Sequence, residues 1–259
     1  SGYRFGGTAV GEPLGRIYGY KIDHIIQTEA EADAALYDEQ SNGYRVGDGR
    51  MVKGRKDAGD YEWRNRKGSA RRDGEEIIND EDQFYLGNVM PHSTGGINNT
   101  FRYKRLSLNV YCDFALGHSI INGMKAHLLR NTMGNCNSTI GRIAYDCWQH
   151  PGDTDAKYAR FYSGGESVSA NFKNDSDVFA FKGDYLCIRE LSLAWDLPKK
   201  FVSKLGMQGA SITLAGNNLH YFTAVPGVSP EVGTMSTNAA GYNNYPPIRR
   251  ISLGIKVIF

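Results

Sequence analysis

Strict two-residue alternation at the end of the chain constrains its fold more than any other feature. In Ile251-Ser-Leu-Gly-Ile-Lys-Val-Ile-Phe259, the residues Ile251, Leu253, Ile255, Val257 and Phe259 fall on one parity. Ser252, Gly254 and Lys256 fall on the other. Successive side chains of a strand point to opposite faces, so this segment has one wholly apolar face and one small or polar face. Leu253, Ile255, Val257 and the closing aromatic Phe259 form the pattern expected of a barrel-assembly signal. A sandwich strand in water alternates in the same way, so the rest of the chain must decide what the apolar face meets.

The alternation recurs. Six segments read as strands. Gly15–Ile26 carries Tyr18, Tyr20 and Ile22 on one parity, and Thr94–Tyr103 carries Ile97, Phe101 and Tyr103. Leu106–Leu116 is the cleanest, with Leu106, Leu108, Val110, Cys112, Phe114 and Leu116 opposite Ser107, Asn109, Tyr111, Asp113 and Ala115. Tyr185–Leu197 places Leu191, Leu193, Trp195 and Leu197 together, and Ala210–Thr223 begins with Ile212 and Leu214. The terminal strand is the sixth.

Connection lengths alternate too. Lys104-Arg105 joins the second and third strands, and a short helix opened by Pro198 and closed by Gly206 joins the fourth and fifth. The stretches 27–93, 121–184 and 224–248 are long. Short turns at one end and long loops at the other are the arrangement of up-and-down outer-membrane barrels. With the last strand ending in the periplasm, Phe101, Tyr103, Trp195 and Phe259 gather at one membrane edge as an aromatic girdle. Arg102, Asp113, Glu190 and Lys256 then face the lumen, where pairing within the wall is expected. Six strands cannot close a transmembrane barrel, since the smallest have about 8. Open edges in lipid would leave unpaired backbone groups costing several kcal/mol each. Residues 1–259 are therefore expected to be one portion of a larger barrel.

Composition excludes several other classes. A net charge of +2 over 259 residues gives no sign of nucleic-acid binding. No apolar run approaches the ~20 residues of a membrane-spanning helix, which a barrel does not need. Thirty-one glycines and 16 tyrosines suit a β-rich chain with many turns. Ser1-Gly-Tyr-Arg-Phe5 lacks a signal peptide's apolar segment, so a processed chain or the later part of a longer one is expected. Four cysteines are no disulfide framework at this length; Cys136 and Cys147 share a polar segment, and both the paired and unpaired states stay open. Zinc spacing, a P-loop and a nucleophile elbow are all missing, so no enzymatic chemistry is expected.

Several segments, taken in order, resemble the SusC-like (SusC/RagA-type) TonB-dependent outer-membrane transporters of Bacteroidetes. They are Leu86-Gly-Asn-Val-Met-Pro91, Gly96-Ile-Asn-Asn-Thr-Phe101 with Leu106-Ser-Leu-Asn-Val110, and Asp184-Tyr-Leu-Cys-Ile-Arg-Glu-Leu-Ser-Leu-Ala-Trp-Asp-Leu-Pro-Lys-Lys200. Asn217-Asn-Leu219, Phe222-Thr223, Ser229-Pro-Glu-Val232, Tyr245-Pro-Pro-Ile-Arg249, Leu253-Gly254 and Phe259 continue the match, which runs from about residue 60 to 259. The resemblance implies an all-β fold, an antiparallel up-and-down transmembrane β-barrel of about 22 strands, of which this chain supplies the carboxy-terminal six or so with long extracellular loops. It also implies a plug and amino-terminal domain absent from these residues. The implied function is TonB-dependent import of nutrient oligosaccharides or peptides with a SusD-like surface lipoprotein, in the outer membrane and in contact with lipid.

Within that frame the loop aromatics Tyr61, Trp63, Trp148, Tyr158, Tyr162, Tyr242 and Tyr245, with Asn243, are candidate substrate contacts, because aromatic faces beside amides suit sugars and peptides. Packing of the loops on one another, or on the lipoprotein, is the competing reading. Asp73, Asn79, Asp80 and Asp82 resemble the family's acidic loop and are a calcium candidate. Arg71 and Arg72 stand where the first acidic ligands would be, and one residue is inserted before Ile78. Asn122–Arg130, with Met124, Leu128 and Leu129, is expected to form a short packing helix. A siderophore or vitamin transporter of the TonB-dependent type, and a soluble β-rich binding module, remain as alternatives.

Overall fold

The computed structural model describes residues 10–39, 44–45, 51–52, 54–66, 71–72, 74–123, 125–126, 145–160, 173, 176–231 and 247–259. In chain order the elements are β1 (Arg16–Gly19), β2 (Ile22–Ile25), α1 (Glu29–Ala34), β3 (Tyr37–Asp38), β4 (Tyr44–Arg45), β5 (Met51–Val52), β6 (Tyr61–Trp63), β7 (Arg71–Arg72), β8 (Glu75–Ile78) and β9 (Phe84–Asn88). Then follow β10 (Ser93–Tyr103), β11 (Leu106–Leu116), β12 (Ser119–Ile121), β13 (Ala180–Lys182), β14 (Tyr185–Asp196), α2 (Lys199–Val202), β15 (Gly209–Thr223) and β16 (Arg250–Ile258).

The long strands form one five-stranded antiparallel meander in the order β10-β11-β14-β15-β16. Each of the five has between 9 and 15 residues, which meets the roughly 9–11 that a tilted strand needs to cross a bilayer. Leu106 to Leu116 spans about 34 Å along the strand, or about 25 Å of height at the usual tilt, the thickness of a lipid-facing band.

Register carries the apolar parity across the whole sheet. Phe101 pairs with Leu108, Leu108 with Leu193, Leu193 with Leu214, and Leu214 with Leu253. The next row toward the turns joins Tyr103, Leu106, Trp195, Ile212 and Ile255. These pairs stabilise the sheet by roughly 0.2–1 kcal/mol each, yet none of the described residues covers the face they make. Leu253 and Ile255 are each 69% exposed, and Ile97, Phe101, Leu193, Trp195 and Leu214 are exposed as well. An apolar face this large on one side of a sheet marks contact with something other than water. On the same face Gly95 lies under the Phe114 ring, where an added Cβ would come within 2.8 Å of the ring.

Among the described residues the wall holds five strands rather than the expected six. Gly15–Ile26 breaks into β1 and β2, which pair with β9 and β6 in separate small sheets. Burial explains the difference: Ile17, Tyr18 and Tyr20 are all covered, so both faces of this stretch meet protein. The long connections expected over 27–93 and 121–184 likewise contain folded structure at the end of the wall away from the turns. Ile17, Tyr20, Tyr61, Trp63, Ile78, Val89, Ile121, Ala126, Ala159 and Phe179 form its core. No helix among the described residues is long and apolar enough to cross a membrane.

Candidate functional site

The lumen face of the wall carries a charged node built around an irregularity. Between Tyr111/Cys112 on β11 and Ile188/Glu190 on β14 the register shifts by one residue, and β14 shifts against β15 at the same place. Arg189 is the extra residue against β11, and β15 carries its own extra residue between Asn217 and His220. Leu191, Leu193 and Trp195 keep the apolar parity on one side of the bulge, and Leu186 and Ile188 keep it on the other. A bulge re-aims a side chain without losing the sheet, and here it turns the guanidinium toward the polar face.

Arg189 donates to Asp113 in bidentate fashion, Nε to Oδ1 at 2.8 Å and Nη2 to Oδ2 at 2.7 Å. Its Nη1 donates to Asn218 Oδ1 at 2.9 Å and to the Tyr221 hydroxyl at 3.1 Å. Glu231 closes the node by accepting from Nη1 and Nη2 of the guanidinium and from the Tyr221 hydroxyl at 3.0 Å. Planar forked donors matched to two carboxylates make this a strong, geometrically specific arrangement.

The node fixes a loop. Glu231 lies at the outgoing end of the 224–248 connection. At the returning end Asn218, which adopts a left-handed φ of 51°, donates its Nδ2 to the Ile248 carbonyl at 3.2 Å. Asn122 adds a third tie, Nδ2 to the Pro226 carbonyl at 2.7 Å. His118 lies buried beside Gly183 and edge-on to Tyr185, and burial lowers its pKa. The Arg189 bulge thus ties both described ends of the 224–248 connection, at Glu231 and, through Asn218, at Ile248. Tyr242, Asn243 and Tyr245, with Tyr162, lie outside the described residues.

Beyond the wall, ion pairs stiffen the loop core. Lys173 pairs with Asp38 at 3.1 Å and sits 4.4 Å over the Tyr20 ring; burial draws its ammonium below the ordinary lysine range, opposed by Asp38. Lys56 pairs with Glu62 at 2.9 Å, and burial raises the Glu62 carboxyl against that pull. Arg160 bridges Asp57 and Asp60 at 2.7 and 2.9 Å. An open cleft of about 450 Å³ borders this core, lined in part by Asp23, His24, Glu31, Leu36 and Arg64.

The candidate contacts separate accordingly. Trp63 is 1% exposed and packs edge-to-face on Tyr20 and Tyr61, so its ring serves the core rather than offering a face to a ligand. Tyr61 is buried in the same way, and burial raises its hydroxyl pKa far above the ordinary value. Trp148 is half-buried; it donates Nε1 to Gln27 at 3.1 Å and lies on Gly59, where a Cβ would meet the indole at 2.4 Å. Tyr158, also half-buried, lies under Lys125. Of the acidic loop, Asp73 is outside the described residues. Asp82 is buried and accepts from the backbone N–H groups of Asn79 and Arg66 at 2.9 and 2.7 Å, Asn79 caps Glu81, and Asp80 accepts from the Tyr20 hydroxyl. Among the described residues, no three His, Cys, Asp or Glu side chains group in a way that could hold a metal.

Cys147 is buried, which pushes its thiol up to about 11; Cys136 lies outside the described residues. The expected helix begins at Asn122, whose side chain accepts from Lys125 N at 2.9 Å, while Met124, Leu128 and Leu129 are again outside. Asp113 pairs within the wall, as its lumen parity implies. Arg189 was legible only as the misfit of two apolar residues, Ile188 and Leu191, spaced by three in an alternating strand.

No family model matches the sequence. The chain is 26% identical over 96% of its length to the TonB-dependent receptor P3 of Formosa agariphila, and 29% identical over 72% to the TonB-dependent receptor P26 of the same organism. It spans about a fifth of either relative, 22% and 19%. Among solved structures it superposes on the RagAB peptide transporter with a TM-score of 0.62 at 18% identity, covering 96% of this chain and 23% of that one. The closed-closed state of the RagAB peptide importer gives 0.59 at 19% identity.

Proposed function

We infer that this chain, a portion of a SusC/RagA-like TonB-dependent transporter, forms the carboxy-terminal wall and outer loops of an importer in the bacterial outer membrane. The carrying observation is the continuous apolar face of β10, β11, β14, β15 and β16, exposed across five strands in register. Lipid hydrocarbon satisfies such a face, and the remaining strands of a closed barrel satisfy the open edges of β10 and β16. The same geometry leaves the polar face toward a lumen and gathers the folded loops at one end. Work here rests on binding and conformational opening, with energy delivered through TonB and no covalent chemistry.

The substrate is an oligosaccharide or a peptide, held with a SusD-like lipoprotein that covers the loop end. Trp148 and Tyr158 lie half-buried in the folded loop end, and aromatic faces beside amides and charges suit either ligand. The peptide importers that share the fold support the peptide arm of this reading.

Uptake by cells carrying the complete transporter tests it, with labelled oligosaccharides, peptides and iron chelates supplied in turn. The reading expects uptake of one of the first two classes, lost without TonB and reduced without the lipoprotein. Uptake of a chelate with no lipoprotein requirement would contradict it.

A further inference from the structure

The turn end of the wall combines positive charge with exposed apolar side chains. Lys104-Arg105 joins β10 to β11, and α2 with the 3-10 turn Ser203–Leu205 joins β14 to β15. Backbone bonds hold both against the sheet: Asp196 N donates to the Arg105 carbonyl at 2.9 Å, Leu197 N to Ala210 at 2.9 Å and Gln208 N to Ile258 at 2.8 Å. The chain's last strand ends beside them.

In the helical turn, Val202 is buried against the sheet, whereas Phe201 and Leu205 are 66% and 72% exposed. At about 100° per residue these two share one flank, and Lys200 and Lys204 lie opposite Val202. Met207 N donates to the Val202 carbonyl at 3.2 Å and Gly206 takes a left-handed φ of 70°, so the turn ends in a defined cap. The two connections carry five cations, Lys104, Arg105, Lys199, Lys200 and Lys204, against one acidic side chain, Asp196. None of the five makes an ion pair among the described residues. Tyr103, Leu106 and Trp195 lie immediately above them, all exposed.

We propose that this rim is a docking surface for anionic phospholipid headgroups of the leaflet facing the periplasm. Phe201 and Leu205 extend the apolar band to the level of the headgroups, and the five cations meet lipid phosphates there. An apolar flank beside cations is the pattern of an interfacial helix. The rim thereby fixes how deeply the wall sits in the bilayer. The inference rests on the membrane reading above: failure of that reading yields no lipid-embedded barrel, whereas failure of this one yields an embedded barrel indifferent to lipid charge.

The complete transporter is reconstituted into nanodiscs of phosphatidylethanolamine, with and without phosphatidylglycerol, and the lipids retained on gentle release are weighed by native mass spectrometry. The wild type should retain phosphatidylglycerol preferentially. The triple variant Lys199→Gln, Lys200→Gln, Lys204→Gln should lose about five-fold or more of that preference, since one lysine at an anionic surface is worth roughly that factor. The matching triple Lys→Arg variant should keep it, and inorganic phosphate at equal ionic strength should not replace the lipid. If the glutamine variant fails to assemble, salt titration of the wild type decides: a preference that falls with ionic strength supports the rim, and one that does not overturns it. Equal preference in wild type and assembled glutamine variant, or rim lysines that engage an acidic periplasmic protein without any lipid preference, would also overturn it.

Discussion

Replacing Arg189 by Met tests whether the bulge on β14 exists to hold a loop. The three side chains at its centre are all about a quarter exposed or less: 26% for Arg189, 19% for Asp113 and 25% for Glu231. Fully exposed pairs contribute at most about 1 kcal/mol, and removing one partner of a fully buried pair costs about 3–5 kcal/mol. Arg189→Met leaves two carboxylates facing each other in a site between those limits, so the loss should be about 2–3 kcal/mol. That cost falls on closure of the 224–231 segment, because the outer-face register of β14 does not depend on the guanidinium. A loss of 2–3 kcal/mol raises the open population about 30- to 150-fold. Amide exchange of the complete transporter reads this directly: residues 225–231 should exchange faster by that factor, while 210–216 on β15 keep their protection. Arg189→Lys should rescue little, since an ammonium cannot reproduce the bidentate contact with Asp113. Neutralising Asp113 and Glu231 together with Arg189→Met should recover part of the loss, because the three act as a unit. Unchanged exchange at 225–231, or equal loss of protection across the sheet, would refute the reasoning.

Three further perturbations separate the parts of the molecule. Leu253→Arg, on the lipid-facing parity about midway up the wall, should destabilise the assembled barrel by about 2–4 kcal/mol, while neighbouring Ser252→Arg on the lumen parity should change it little; urea unfolding from lipid vesicles measures both. Trp63→Ala should cost about 3–5 kcal/mol and loosen the loop core, seen as protease cleavage within 54–66, with the wall strands still protected. Acid should weaken the loop end through His118. Burial lowers its folded pKa, so the open state binds the proton more readily, and stability present above the ordinary value of about 6.5 is lost as pH falls below it. His118→Gln should flatten that part of the exchange profile at 118–123, and identical profiles for the two proteins would contradict the assignment.

The wall was legible because alternation over β10, β11, β14, β15 and β16 states which residues share a face. It does not state what that face meets. Gly15–Ile26 alternates in the same way, yet Ile17 and Tyr18 are both buried, and the segment belongs to the loop core. Trp63 shows the same limit at one residue: an aromatic in a long connection reads as a surface contact until Tyr20 and Tyr61 are found against it. Arg189 was hidden because the bulge that aims it is encoded only as a shift of parity between Ile188 and Leu191. Its partner Glu231 lies 42 residues away, a distance that no local pattern spans. The folding of the 27–93 and 121–184 connections into a common core was likewise invisible, since it rests on contacts such as Lys173 with Asp38 across 135 residues.

Spin labels placed singly at each position from 251 to 258 in the complete, membrane-reconstituted transporter give the most direct test. Collision with dissolved oxygen reports hydrocarbon, and collision with a water-soluble nickel complex reports water. Oxygen contact should peak at 251, 253, 255 and 257 and fall at 252, 254 and 256, in step with the exposed apolar parity. A flat profile, or nickel contact at 253 and 255 equal to that at 252 and 254, would mean that these side chains do not face lipid.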